Sequence, residues 1–139
     1  MHIDLEHIRS HYKKDRFAME IGITIDSATE DCVTCSMELN EKHKNAMDNV
    51  QGGAIFTLAD LTFAVHCNLE MVCGEDVGGT VGQSCSISFL KSTKGSRLIA
   101  KSACISKGRR VSVYRICIED NLGAQIAEML ANSFTVMKR

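Results

Sequence analysis

Apolar residues recur along this chain in two rhythms. Val33, Cys35, Met37 and Leu39 alternate with Thr34, Ser36 and Glu38, which is the period of a strand with one buried face. Strand-like runs cover Phe17 to Ala28, Cys32 to Leu39, Thr80 to Lys91, Arg97 to Ser106, Val111 to Glu119 and Ala124 to Met137. Turns at Glu30-Asp31, Thr93–Ser96, Lys107–Arg110 and Asp120–Gly123 separate them. The stretch from Ala54 to Cys67 is different. Its apolar residues fall on every side of a helix, which predicts a central helix over about 53–72 that is buried nearly all round. Gly74-Glu75-Asp76 and Gly78-Gly79 are expected to end it. Residues 2–14 predict a short amphipathic helix with Ile3, Ile8 and Tyr12 inward and His2, His7 and His11 exposed along one side. Glu41 to Val50 has no apolar period and reads as a loop, with His43 in solvent. One helix between two strands and four more gives an α+β meander in a single domain, residues 1–139, not an alternating βαβ chain.

The central helix carries one formal charge, Asp60. An unpaired carboxylate among apolar side chains is costly, and it shifts its pKa or finds hydrogen bonds. Its position marks it either as a functional group or as an acceptor for a neighbouring loop. Asn49-Val50-Gln51-Gly52-Gly53 leads into the helix. Adjacent glycines allow close approach of a ligand or a second backbone. The first helical N–H groups lack internal partners and sit at the positive end of the helix dipole, where a carbonyl oxygen gaining negative charge is stabilised. The same glycines also suit a tightly packed turn. Gly53 and Asp60 are seven residues apart, ~10 Å along the axis at ~1.5 Å per residue. One chain cannot bring both to one substrate atom. Two antiparallel copies of the helix, side by side in an isologous dimer, would place Asp60 of one beside Gly53 of the other.

The run Asn45-x5-Gln51-Gly52-Gly53-Ala54-Ile55-Phe56-Thr57-Leu58-Ala59-Asp60 resembles the hotdog-fold acyl-CoA thioesterases of the phenylacetate-pathway type. Further similar residues lie at Phe17 to Ile25, Ile87 to Lys91, Gly95, Lys107 to Arg109 and Asp120-x2-Gly123. The resemblance implies a long helix wrapped by a curved antiparallel sheet of about six strands, and hydrolysis of a thioester. It implies Asp60 as nucleophile or general base and the Gly53 N–H as the carbonyl-polarising donor, with Gly52 beside it. It also implies Asn45 as a residue that places the attacking water or the thioester. Gln51 stands where this family has His; a Gln side chain donates a hydrogen bond but transfers no proton. Some relatives carry a water-orienting hydroxyl near Val81-Gly82-Gln83-Ser84. Position 82 is Gly here, which leaves Ser84 and Thr80 as nearby candidates. Phe56, Leu61 and Phe63 are candidates to line an acyl slot. The family implies a homodimer, with dimers pairing into a tetramer, and no cofactor beyond the coenzyme A of the substrate.

Charge adds one feature. The chain has a net charge of −1, yet Val77 to Ile118 holds eight Lys and Arg and no Asp or Glu. A polyanionic ligand fits this, and coenzyme A with its phosphates is one. The cations could equally balance acids elsewhere on the sheet. Lys91, Arg109 and Arg110, at strand ends and turns, are best placed to reach phosphates. Few aromatics and no recognised motif argue against nucleic acid. No run of apolar residues is long enough for a membrane span, and the start lacks the order of a signal peptide. Seven cysteines, an odd number mostly in apolar segments, fit reduced thiols in a cytoplasm, and Cys32-x2-Cys35 makes a poor metal clip on a strand. Two other functions share this scaffold: a non-catalytic acyl-CoA-binding or sensing protein, prompted by Gln51, and a hydroxyacyl-thioester dehydratase, for which His66 is the one helix histidine.

Overall fold

The computed structural model describes residues 1–74 and 78–136; the expected turn residues Glu75 and Asp76 and the strand end at Met137 lie outside them. In chain order the elements are α1 (Leu5–Tyr12), α2 (Arg16–Glu20), β1 (Ile23–Ala28), β2 (Val33–Glu38), a 3-10 turn (Glu41–His43), α3 (Gly52–Cys67), α4 (Leu69–Cys73), β3 (Thr80–Phe89), β4 (Arg97–Lys107), β5 (Val111–Asp120) and β6 (Gln125–Thr135). The six strands form one antiparallel sheet in the order β1-β2-β4-β5-β6-β3. It wraps α3, so the long helix against a six-stranded sheet is as expected.

The connectivity is not the simple meander that the pattern predicts. β3 crosses to the far edge and pairs with β6, and β4 takes the place beside β2. Sequence pattern sees strands but not which neighbour each will find.

Two local expectations are also corrected. The segment from Phe17 begins as helix, because Asp15 caps α2 by accepting from the Ala18 N–H at 3.1 Å; the strand starts only at Ile23, after Gly22 at φ 85°. The central helix stops at Cys67. Asn68 accepts from the Thr80 N–H at 2.8 Å and donates to the Thr80 carbonyl at 2.9 Å, which draws the helix end onto β3. α4 then continues as a separate turn.

His43 is buried, not solvated. Its Nδ1 accepts from the Asn40 N–H at 3.0 Å and its Nε2 donates to the Ile21 carbonyl at 2.6 Å, so it ties the loop to α2. His66 plays a similar part at the other end of α3. The Glu30 carbonyl can only accept, so His66 Nε2 holds the proton (2.8 Å), and Nδ1 accepts from Ser102 Oγ (2.7 Å). Ser102 Oγ in turn accepts from the Val33 N–H at 2.9 Å. This pins α3 to β2, β4 and the β1–β2 turn. Burial holds the His66 pKa below its ordinary value. The unfolded chain therefore binds a proton that the folded chain excludes, and stability is lost as pH falls below about 6.5 toward the depressed folded value. Urea unfolding at a series of pH values is expected to show this loss, and His66→Gln to reduce it.

The core lies between α3 and the sheet. Leu58, Ala59, Phe63 and Val65 meet Met37, Leu98, Ala100, Ile116 and Met129, all nearly inaccessible. A bulge at Gln83 decides which side of β3 joins this core. Gly82 pairs with Ser133 and Ser84 with Asn132, so one residue is passed over. Gly82 then faces Phe63 on α3, and beyond the bulge Cys85, Ile87 and Phe89 face the helix while Ser84, Ser86 and Ser88 face away.

Candidate active site

α3 is buried on all sides but one. Gly53 and Asp60 are exposed, and Phe56, Thr57, Ala64 and Cys67 are only partly covered. At ~100° per residue these six fall within a stripe about 100° wide. The helix was expected to be buried all round; in a single chain this stripe is open. It carries both chemical candidates of the helix.

The helix start is built by the loop before it. Lys44 and Val50 form a bridge, the Asn45 N–H donates to the Asn49 carbonyl at 2.8 Å, and Asp48 turns the chain at φ 61°. Asn45 Oδ1 accepts from the Met47 and Asn49 N–H groups at 2.9 and 3.1 Å. Its acceptor side is thus committed to the loop, and its Nδ2 makes no hydrogen bond among the described residues. The Gln51 N–H donates to the His43 carbonyl at 2.7 Å, and Gln51 Oε1 caps the helix by accepting from Gly52 N–H at 3.1 Å. The next donor, the Gly53 N–H, has no acceptor among the described residues. Gln51 therefore fills the first vacancy of the helix start and leaves the second for a ligand oxygen.

Gly52 faces a cleft of about 330 Å³ whose lining includes Asn45, Asn49, Ile55, Phe89 and Lys91. A Cβ on Gly52 would stand 3.3 Å from Phe89 Cζ, so the absent side chain lets the ring close over the helix start. Of the residues assigned to phosphate or acyl contacts, Lys91 is thus brought to the helix start. Arg109 is not. It lines a cavity of about 60 Å³ with Lys107, Thr80 and Thr135, near the C-terminal end of α3, and Arg110 lies in the same β4–β5 turn. Ser84 is on the outer side of β3, hydrogen-bonded to Asn132, away from the cleft.

Leu61 and Phe63 belong to the core, each about 2% exposed, and line no open slot. Phe63 shares its side of α3 with Phe56, but β3 crosses over it at Gly82 and Tyr114 packs against its ring at 5.5 Å. Phe56 alone of the three stays on the open stripe. Asp15 is a residue near the site that the sequence reading missed; its only signal was its place after the amphipathic first helix.

Asp60 makes no hydrogen bond among the described residues. Its carboxyl is held above the usual carboxylate range, first by partial desolvation among apolar neighbours and second by the charge of Asp15. The basic stretch is divided in two. Arg97 pairs with Asp26 and Glu38, Lys101 with Glu119 and Arg115 with Glu128. Lys91, Lys94, Lys107, Arg109 and Arg110 make no ion pair among the described residues. So part of the positive charge balances acids on the sheet, and the strand-end and turn cations remain for other partners.

The thioesterase superfamily model matches residues 47–127, which contain the whole helix, its glycine start, three of the strands and the beginning of β6. The chain belongs to the thioesterase superfamily. It is 30% identical over 106 residues to the acyl-coenzyme A thioesterase PaaI of Escherichia coli, covering 76% of this chain and 71% of that one. The solved structure of the E. coli PaaI protein superposes with a TM-score of 0.83 at 26% identity over 96% of both chains. A Streptococcus mutans protein solved with acetyl-CoA shares the fold, with a TM-score of 0.73 at 24% identity, covering 85% of this chain and 91% of that one. The hotdog fold and the family's thioester-hydrolysing chemistry are thereby fixed for this superfamily member. No helix of the described residues is long and apolar enough to cross a membrane.

Proposed function

We propose that the protein hydrolyses acyl-CoA thioesters at two equivalent sites of a homodimer. The observation that carries this is the open stripe of α3, which holds an unoccupied Gly53 N–H and an unpaired Asp60 too far apart to serve one substrate within a chain. A second α3 laid antiparallel on the stripe brings Asp60 of the partner to each Gly53. The open edge of β3 lies on the same side, since Gly82 and Cys85 face α3, and pairing of two β3 edges would hold the copies together. The thioester oxygen accepts from Gly53 N–H, with Gln51 and Asn45 amides beside it. Asp60 then attacks the carbonyl, giving a mixed anhydride, or takes a proton from the attacking water. Coenzyme A leaves as the thiolate and takes a proton from solvent, or from Asp60 where Asp60 has acted as the base; on the first route water then cleaves the anhydride, releasing the free acid and the Asp60 carboxylate. Phe56 and its copy wall the acyl slot. Lys91 of one protomer, with Arg109 and Arg110 of the other, supplies charge for the phosphates. The half-exposed Val111 and Leu130 on the outer sheet face offer a patch on which dimers could pair further.

His66 does not support dehydration, because both of its ring nitrogens are engaged in holding the fold. The test is release of free thiol from a panel of aryl-acetyl, short and medium aliphatic acyl-CoAs. Turnover with a preference among them is expected. Binding of acyl-CoA with no thiol released from any of them would instead make this a binding or sensing member of the fold.

A further inference from the structure

The first helix follows a defined course along the site helix. His7 Nε2 donates to the Val72 carbonyl at 2.8 Å, and Tyr12 Oη donates to the Ala64 carbonyl at 3.1 Å. Five residues forward along α1 thus correspond to eight positions back along α4 and α3, so α1 runs antiparallel to α3 toward the helix start. The chain continues that way. The Asp15 N–H donates to the Tyr12 carbonyl at 3.0 Å, and Asp15 Oδ1 caps α2, which itself packs on α3. One turn before Ala64 on the open stripe is Asp60. The corner between α1 and α2 therefore sets a second carboxylate beside it.

We propose that Asp15 is a positioning residue of the hydrolytic site, a fixed negative charge that strengthens Asp60 as a proton acceptor. This rests on the reading of Asp60 given above. The titratable groups facing Asp60 are Asp15 from the corner, Tyr12 from α1, Cys67 from α3 itself and Cys85 from β3. Burial pushes the Cys67 thiol up to about 12 and raises Cys85 and Tyr12 above their usual values, so all three are neutral at working pH. Asp15 is the charge that remains among them. Its negative charge favours the protonated form of Asp60, which is the same as making the ionised form a stronger base. Capping α2 does not require that charge, since Asn caps a helix as well as Asp does.

The experiment is Asp15→Asn in the full chain. The Asp60 carboxyl is titrated by carbon-13 NMR, and kcat/KM for an acyl-CoA substrate is recorded against pH. In the wild type the acidic limb is expected above the ordinary Asp value of about 3.9. In Asp15→Asn both the titration and the limb should move down toward that value, with the thermal midpoint unchanged. Superimposable Asp60 titrations would overturn the proposal. Asp15→Ala loses both charge and cap, so it should shift the titration as Asn does and also lower stability. A shift seen only with Ala would mean that Asp15 acts as a cap, which also overturns it. The NMR readout does not need turnover. A shifted titration in a protein that hydrolyses no acyl-CoA would uphold the placement of Asp15 and bring down the hydrolytic reading instead.

Discussion

Asp60→Asn is expected to lower thioester hydrolysis by about 10²–10⁴-fold, the range for removal of a positioned proton-transfer group. The amide matches the carboxylate in size but neither accepts a proton nor attacks a carbonyl at neutral pH. The fold should not notice the change, because the side chain is exposed in the protomer and holds nothing in place there. The sign of any stability effect can be worked out. A carboxyl whose folded pKa is raised stabilises the fold while protonated, and loses that stabilisation as pH rises through the folded value. At neutral pH the ionised Asp60 is therefore a slight burden, and the neutral Asn should leave the unfolding midpoint equal or a little higher. Thiol release and urea unfolding, measured on the same preparations, check both halves. Activity within about fivefold of the wild type would remove Asp60 from the mechanism, given the range expected for such a group.

Phe63→Ala should act in the opposite sense, with a loss of about 3–5 kcal/mol in stability. The Phe63 ring is enclosed by Tyr114 and by the backbone of β3 at Gly82, where a Cβ would come within 3.1 Å of ring atom Cε2. A strand that passes this closely cannot collapse into the space the ring vacates, so the cavity term is fully felt. Urea unfolding measures it. The acyl preference of Phe63→Leu, which keeps most of the volume, should match that of the wild type, because the ring lines no substrate slot. Phe56→Leu, on the open stripe, is the variant in which the preference should change. A changed preference in Phe63→Leu would return Phe63 to the acyl slot.

These two variants show where the sequence was informative. The helix with its lone carboxylate could be read from composition, because apolar residues on every side and one Asp leave few other arrangements. The strands could be read from alternation at Val33 to Leu39, and five of the six were placed within about two residues, the usual uncertainty of element ends. The separation of Gly53 and Asp60 followed from helical rise alone. Other features depended on long-range packing, which local pattern does not carry. Phe17 to Gly22 looked like strand because its apolar residues suit either element, and the cap at Asp15 decided for helix. His43 sat in a polar loop, yet its ring reaches a carbonyl 22 residues earlier in the chain. Leu61 and Phe63 could not be told from Phe56 without knowing which side of α3 β3 would cover. Ser84 was misjudged for a related reason, since the bulge one residue earlier reverses the direction in which it points.

That bulge decides how β3 would tolerate a change in length. From Ser84 to Phe89 the strand alternates serine with Cys85, Ile87 and Phe89, and the unpaired residue at Gln83 lets the second set face inward. Removing Gln83 would bring Ser84 directly after Gly82 in the ladder and leave every residue beyond it on its present face. Pairing Gln83 in regular register instead would rotate the rest of the strand by half a turn, presenting three serines to the helix and lifting the Phe89 ring off Gly52. In related chains, therefore, a one-residue gap at this point would mark a strand without the bulge, with the same residues still at the mouth of the cleft.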